Sequence, residues 1–425
     1  MTYARIVIAT LVALLLSTGV VIAGALYGWW RQSPAPTGDA QAFMRAAVDV
    51  IVQNNRGNAA LVLIEHGAIW DEYYSTTADS VDRNTMFATA SMSKWITAWG
   101  IMKLVEDGKL DLDRPVDEYL TRWRLPISQF DNRGVTTRRL LSHTAGLTDG
   151  LGFGDYRPDE TLPTLEQTLV NPRTSSGEPT KVEVGAEPGR EWRYSGGGYL
   201  ILELLVEEVS GETFEAFIER TVLQPLAMTR SGYYSVGEMD NFARSYDVEG
   251  RPAAVYRYAS NGATGFAASA GDMATFVLAQ LAIATNKPLA TETTNAIRRP
   301  HATTWGIEIW GLGAMLYAPA ARGHFVFGHD GANEPAINAS VRVNPVTGDG
   351  IVVLVTGSRT LASKLGSDWV FWQTGLPDFL SIPGEVKRVV PVLLGGALTI
   401  LLVATVMGWR LRHSRQRRGA SPEAA

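Results

Sequence analysis

Two apolar runs bracket this 425-residue chain and limit what can lie between them. Ile6 to Trp30 is apolar or small throughout, with Arg5 before it, Arg31 after it, and Tyr27, Trp29 and Trp30 at its far end. Val389 to Trp409 is the second run, followed at once by Arg410, Arg412, Arg415, Arg417 and Arg418. A bilayer span needs about 20 such residues, and aromatic side chains mark its interfaces. The positive-inside rule puts the arginine-rich tail in the cytoplasm, so two spans place residues 40 to 385 outside the cell membrane. A cleaved signal peptide, with Ala23-Gly24-Ala25 as its small-residue site, is the alternative for the first run; its length favours an uncleaved anchor. The expected organisation is an anchor and linker at 1–38, an extracytoplasmic domain at 39–385, and a span with a basic tail at 386–425. Membrane lipid is thereby an expected partner, the tail lying beside anionic headgroups.

Composition removes several classes of function. The chain has no cysteine, which excludes disulfides, thiol catalysis, thiolate metal sites and a lipidated N-terminal cysteine. A formal charge of -5 with no basic field argues against nucleic acid as a partner. The six histidines show no metal-ligand spacing, so no metal and no other cofactor is expected.

Between the runs, periodicity changes twice. Asp39 reads as the cap of a helix from Ala40 to about Val52. Residues 60–64 and 68–74 read as strands around a His66-Gly67 turn. Helical patterns then dominate: one after Ser91 stopping at Asp107-Gly108, one from Val135 to Leu147 ending at Gly146, one at 199–209 and one at 214–223. Residues 148–188, rich in Gly, Pro, Asp and Thr, read as a functional rim. From Trp305 the period becomes 2, giving strands at 305–317, 323–328, 337–343 and 351–357, with a hairpin turn at 344–350. A helix at 361–372 closes the pattern. Strands at both ends with helices between them imply an α+β fold. One antiparallel sheet is built from both ends, with flanking helices and a mainly helical insertion at about 108–260.

At the start of that insertion stands Ala90-Ser91-Met92-Ser93-Lys94-Trp95. Positions i and i+3 of a helix share a face, which sets the Lys94 amine beside the Ser91 hydroxyl. A serine hydroxyl becomes a nucleophile when a neighbouring base takes its proton, and burial at a helix start lowers a lysine pKa enough to serve. The Ser91 N–H, near the helix N-terminus, is free to face a developing oxyanion. The plainer alternative is a helix cap beside a solvated charge. Against it, the chain has only seven lysines, no other serine has one at i+3, and Lys94 sits among Met92, Trp95 and Ile96.

Two further stretches carry polar groups suited to the same chemistry. Tyr194-Ser195-Gly196-Gly197-Gly198 precedes a helix; a lysine ammonium near Tyr194 would lower its pKa from about 10 and allow a phenolate or relay role. The alternative is a buried structural tyrosine. Gly328-His329-Asp330-Gly331-Ala332-Asn333 follows a strand. Gly331 leaves room for a substrate at the strand edge, the Ala332 N–H can complete an oxyanion hole with that of Ser91, and His329 can hold or relay a proton. The alternative is a histidine at a hairpin turn.

The ordered set Ser-x-x-Lys, Tyr-Ser-x and His-x-Gly resembles the serine beta-lactamase/penicillin-binding-protein superfamily. The similar branch is that of class C beta-lactamases, their esterase relatives and D-Ala-D-Ala carboxypeptidases. Supporting stretches are Phe87 to Lys94, Leu104 to Leu112, Leu140 to Leu147, Pro188-Gly189, Gln224 to Met228, Gly265-Phe266 and Asp272 to Phe276. The resemblance implies the transpeptidase-like fold, with Ser91 as acylated nucleophile and Lys94 as proton acceptor or tuner of Tyr194. It implies Tyr194 as relay, the Ser91 and Ala332 N–H groups as oxyanion hole, and Gly196, Gly331 and Asn333 at the substrate. His329 stands where many relatives carry lysine, to bind a substrate carboxylate or steady Tyr194. Gly196 stands where relatives often carry an asparagine that contacts the substrate amide. Both departures point toward an esterase or peptidase-like hydrolase rather than an efficient beta-lactamase. The expected function is that of a membrane-anchored serine hydrolase acting through an acyl-enzyme on a small molecule or peptide. The alternative is a catalytically weak binding or sensor module, with two spans and a tail too short for a signalling domain of its own.

Overall fold

A computed structural model of the chain describes residues 3–75, 80–150, 156–174, 180–233, 240–254, 256–281 and 287–419. It divides into two compact units, one formed by residues 1–32 with 375–425 and the other by residues 33–374.

In the first unit, the helices Tyr3–Leu26 and Ile382–Gly419 pack on each other. Both are long and apolar enough to cross a membrane, the second over Val389–Ser414. The first helix ends at Leu26, so Tyr27 to Trp30 form a turn beyond it rather than its last turn.

The second unit is built on an eight-stranded antiparallel sheet. Its strands are β1 (Ala59–Glu65), β2 (Ala68–Ser75), β6 (Ala302–Thr304), β7 (Ile307–Trp310), β8 (Met315–Pro319), β9 (Phe325–Asn333), β10 (Ile337–Asn344) and β11 (Asp349–Thr356). Their order is β2-β1-β11-β10-β9-β8-β7-β6, so the two ends of the unit meet where β1 pairs β11. A smaller sheet, which the residue pattern did not reveal, joins β3 (Met86–Ala88), β4 (Ser231–Gly232) and β5 (Ala267–Ser269) in the order β3-β5-β4. These strands are two or three residues long, too short to show a period.

Alternation along β10 separates the two faces of the large sheet. Ala339, Val341 and Val343 join the core with Trp95 and Phe276, which meet edge to face at 4.9 Å. Ser340 and Arg342 face the other way, against Gly366 of the helix Leu361–Thr374. Phe43, on the Asp39-capped helix Ala40–Asn54, stacks on Trp372 of that outer helix at 4.8 Å.

Four expectations change here. The strand expected at 305–317 is two, Ile307–Trp310 and Met315–Pro319, with a left-handed turn at Trp305 (φ 52°) and Gly306 (φ 78°) before the first. The stretch from Val135 to Leu147 is helical only over Thr137–Leu141. His143 (φ 57°) and Gly146 (φ 76°) are left-handed and turn the chain out of the helix. The helix expected at 214–223 divides into Phe214–Ile218 and a wider turn at Glu219–Leu223. The strand expected to stop at Gly328 runs on to Asn333, so His329 lies inside β9, paired with Val341, and not at a turn.

Candidate active site

Ser91 lies in a single 3-10 turn, Ala90–Met92, that feeds the helix Ser93–Glu106. The helix therefore begins two residues later than the nucleophile. Ala90 holds φ at 50°, an unfavourable conformation for a residue with a Cβ, and the Ser93 hydroxyl braces it by donating to the Ala90 carbonyl at 2.8 Å. Lys94, in the helix's first turn, is 3% exposed. Its Nζ donates to Ser91 Oγ at 3.3 Å and to the Ala263 carbonyl at 2.8 Å. The helix is buried on nearly every side, which explains its largely apolar sequence and the low-dielectric surroundings of that amine. Burial pulls the Lys94 pKa down to about 7, and the charge of Asp149 works against that fall.

Tyr194 reaches the same point from the turn before the helix Gly197–Ser210. It hydrogen-bonds Ser91, and its ring centre lies 5.0 Å from Lys94 Nζ. Its ionisation differs from expectation. Burial raises the Tyr194 pKa well above 10, Asp330 adds to the rise, and the Ser91 hydrogen bond recovers only part of it. Tyr194 is thus a neutral phenol at physiological pH, and Lys94 is the group able to shed a proton.

The wall behind Tyr194 is aromatic. His143 stacks on its ring at 4.3 Å, and Trp310 meets the rings of Tyr194, His143 and His329 edge-on at 5.6, 4.7 and 5.6 Å. His143 Nδ1 accepts the Ser195 N–H at 3.1 Å, so the proton of this neutral ring is on Nε2. Burial, with Lys94 nearby, holds His143 well below its ordinary pKa. Trp192 completes the wall, 5.6 Å from Trp310 and 6.3 Å from His143. The residue pattern placed His143 in a helix and gave no part to Trp310 or Trp192; three segments distant in sequence bring them together.

His329 is fully buried and its pKa falls to about 3, through burial first and Lys94 second. Its Nδ1 lies 2.6 Å from the Asp330 carbonyl, which only accepts, so Nδ1 carries the proton and Nε2 a lone pair. His329 is therefore no substitute for a lysine cation. Its side chain meets Tyr194 through Trp310. Asp330 points to the opposite face, paired with Arg342, whose guanidinium lies 3.5 Å above the Tyr317 ring.

Strand β8 pairs β9 only as far as Gly328, which leaves residues 329–333 as an edge without that neighbour. The room left by Gly331 is taken by protein: a Cβ there would fall 1.9 Å from the Thr89 carbonyl oxygen and 3.2 Å from the Ser91 nitrogen. This corrects the expectation that a substrate uses that space; the glycine lets the strand backbone close on the nucleophile turn. Ala332, the next residue, is exposed on that edge. Asn333 Nδ2 donates to Thr264 Oγ1 at 2.7 Å, tying β9 to the loop that supplies the Ala263 carbonyl. Gly196 is buried at the helix start with its N–H on the Gly150 carbonyl at 3.1 Å, and presents no side chain.

A family model described as Beta-lactamase matches residues 40–369. The chain is 28% identical over 212 residues to penicillin-binding protein 4* of Bacillus subtilis, covering 48% of this chain and 45% of that one. It is 29% identical over 219 residues to esterase EstB of Burkholderia gladioli, covering 46% and 51%. The chain thus matches about half the length of these curated relatives. A solved octameric penicillin-binding protein homologue from Pyrococcus abyssi superposes with a TM-score of 0.66 at 24% identity, covering 80% of this chain and 78% of that one. That likeness is one of fold.

Proposed function

Because the chain belongs to the beta-lactamase family, we propose that it is a membrane-anchored serine hydrolase that forms an acyl-enzyme on Ser91. Its substrate is an ester, amide or peptide outside the cytoplasmic membrane. The observation that carries this reading is the Lys94 amine, buried, 3.3 Å from Ser91 Oγ and with a pKa of about 7. A good part of it is unprotonated at neutral pH, which is what a base for Ser91 needs.

In the first step Ser91 Oγ bonds to the substrate carbonyl carbon as its proton passes to Lys94 Nζ. The carbonyl oxygen becomes an oxyanion facing the N–H groups of Ser91 and Ala332. The proton returns through the Tyr194 hydroxyl to the leaving group as the scissile bond breaks. Water then attacks the ester, gives up its proton along the same path, and frees Ser91. A neutral Tyr194 suits a relay that donates and accepts in one movement.

Uncharged His329 and side-chain-free Gly196 favour neutral esters and amides over beta-lactams. The two long apolar helices support anchoring, and the arginines after residue 409 support a cytoplasmic tail. The test uses the full-length protein in detergent with p-nitrophenyl acetate, nitrocefin and a D-Ala-D-Ala peptide. Turnover of the acetate above nitrocefin, lost in Ser91→Ala, is expected. Equal turnover by Ser91→Ala would remove the reading.

A further inference from the structure

Asp149 lies in the stretch read from sequence as a functional rim, yet it is only 5% exposed. Its Oδ1 accepts from the Ser195 hydroxyl at 2.7 Å and its Oδ2 from the Gly197 N–H at 2.9 Å. Ser195 Oγ in turn accepts the Gly198 N–H at 2.8 Å, and the Ser195 N–H is held by His143, the ring stacked on Tyr194. A Cβ on Gly197 would fall 2.9 Å from Val182 Cγ2 and 3.0 Å from the Asp149 carboxyl carbon, so the missing side chain eases this approach. One carboxylate therefore fixes the residues that follow Tyr194.

The charge of the same carboxylate favours the Lys94 ammonium. The other titratable groups around that amine are Tyr194 and Tyr199 from the Tyr194 turn and its helix, His143 from the turn after Leu141, and His329 from β9. The phenols stay protonated and the imidazoles neutral, through burial. Asp149, with a pKa of about 6 as burial opposes its hydrogen bonds, carries a negative charge at neutral pH.

We propose that Asp149 is a positioning residue of the acylation machinery: its carboxylate pins the turn that holds Tyr194 against Ser91 and Lys94. This rests on the Ser91–Lys94 reading above. Removing the charge leaves the ammonium less favoured, so Lys94 deprotonates at lower pH.

The test follows the rate at which a fluorophosphonate probe labels Ser91 in the full-length protein across pH. Asp149→Asn should label about tenfold more slowly on the plateau, with the acid limb moved down by about half a pH unit or more. Asp149→Ser, which keeps an acceptor for the Gly197 N–H without charge, should move the limb the same way. Ser195→Ala should slow labelling and, because it removes the hydrogen bond that lowers the Asp149 pKa, move the limb down by less than Asp149→Asn does. Uncharged variants that melt cooperatively and label at the wild-type plateau rate would overturn the proposal. Should neither fold, unchanged labelling of Ser195→Ala would overturn it. Wild-type protein unlabelled at Ser91 would instead defeat the functional reading itself.

Discussion

The nucleophile corner and the aromatic wall face each other but are assembled in opposite ways. Ser91 and Lys94 are three residues apart, and one 3-10 turn running into a buried helix sets their distance whatever the rest of the chain does. Tyr194 is placed by His143 and Asp149, from the stretch after Leu141, and by Trp310, from the distant strand β7. The corner depends on local geometry and burial; the wall depends on several tertiary contacts at once. Substitutions in the corner should therefore abolish chemistry without disturbing the fold, whereas those in the wall should weaken both together.

The largest expected effect tests the corner. Lys94→Arg should lower Ser91 acylation by about a thousandfold or more, because a guanidinium does not give up its proton at accessible pH. Near-native labelling kinetics in a folded Lys94→Arg protein would break the contrast. Tyr194→Phe comes next, with a loss of about a hundredfold in turnover as the relay hydroxyl goes while the ring stack stays. His143→Ala removes a stacked ring and the acceptor of the buried Ser195 N–H. It should cost about tenfold in kcat and about 1–3 kcal/mol of stability, read by steady-state kinetics and chemical denaturation. An activity loss with full stability would place His143 nearer the chemistry than the wall.

Two smaller effects follow from ionisation. Activity should rise with pH through about 7 as Lys94 loses its proton, seen as the acid limb of a kcat/KM profile. Stability should carry the same signature. The folded pKa of Lys94 lies below its ordinary 10.5, so between those values the unfolded chain binds more protons and stability rises with pH. Lys94→Met should flatten that rise between pH 7 and 9 in thermal melts, and its midpoint at pH 7 should not fall below wild type.

The same contrast explains what could be read from the residues alone. The large sheet was legible because 337–343 alternates strictly and 351–355 is a continuous β-branched and apolar run beyond a Gly-containing turn, and the Ser91–Lys94 pair because it is local. The helix expected through Leu147 failed because His143 takes a left-handed conformation, a choice made by its packing between Tyr194 and Trp310. Tyr194 was read as ionisable because its lysine neighbour was foreseen, while burial, which keeps the phenol protonated, stood only as the alternative. Asp149 stayed hidden because its partners, Ser195 and Gly197, are reached only through the fold. A polar residue closing a Gly-flanked turn after Leu147 was the one local hint.

The central claim is that Ser91 becomes acylated with Lys94 as its base. Intact-mass and peptide mapping of the full-length protein after brief reaction with p-nitrophenyl acetate at pH 8 and rapid acid quench tests it most directly. A single acetyl group on the peptide containing Ser91, absent from Ser91→Ala and strongly reduced in Lys94→Arg, is the predicted result. Acetylation elsewhere, or on Ser91 to the same extent in Lys94→Arg, would contradict the account.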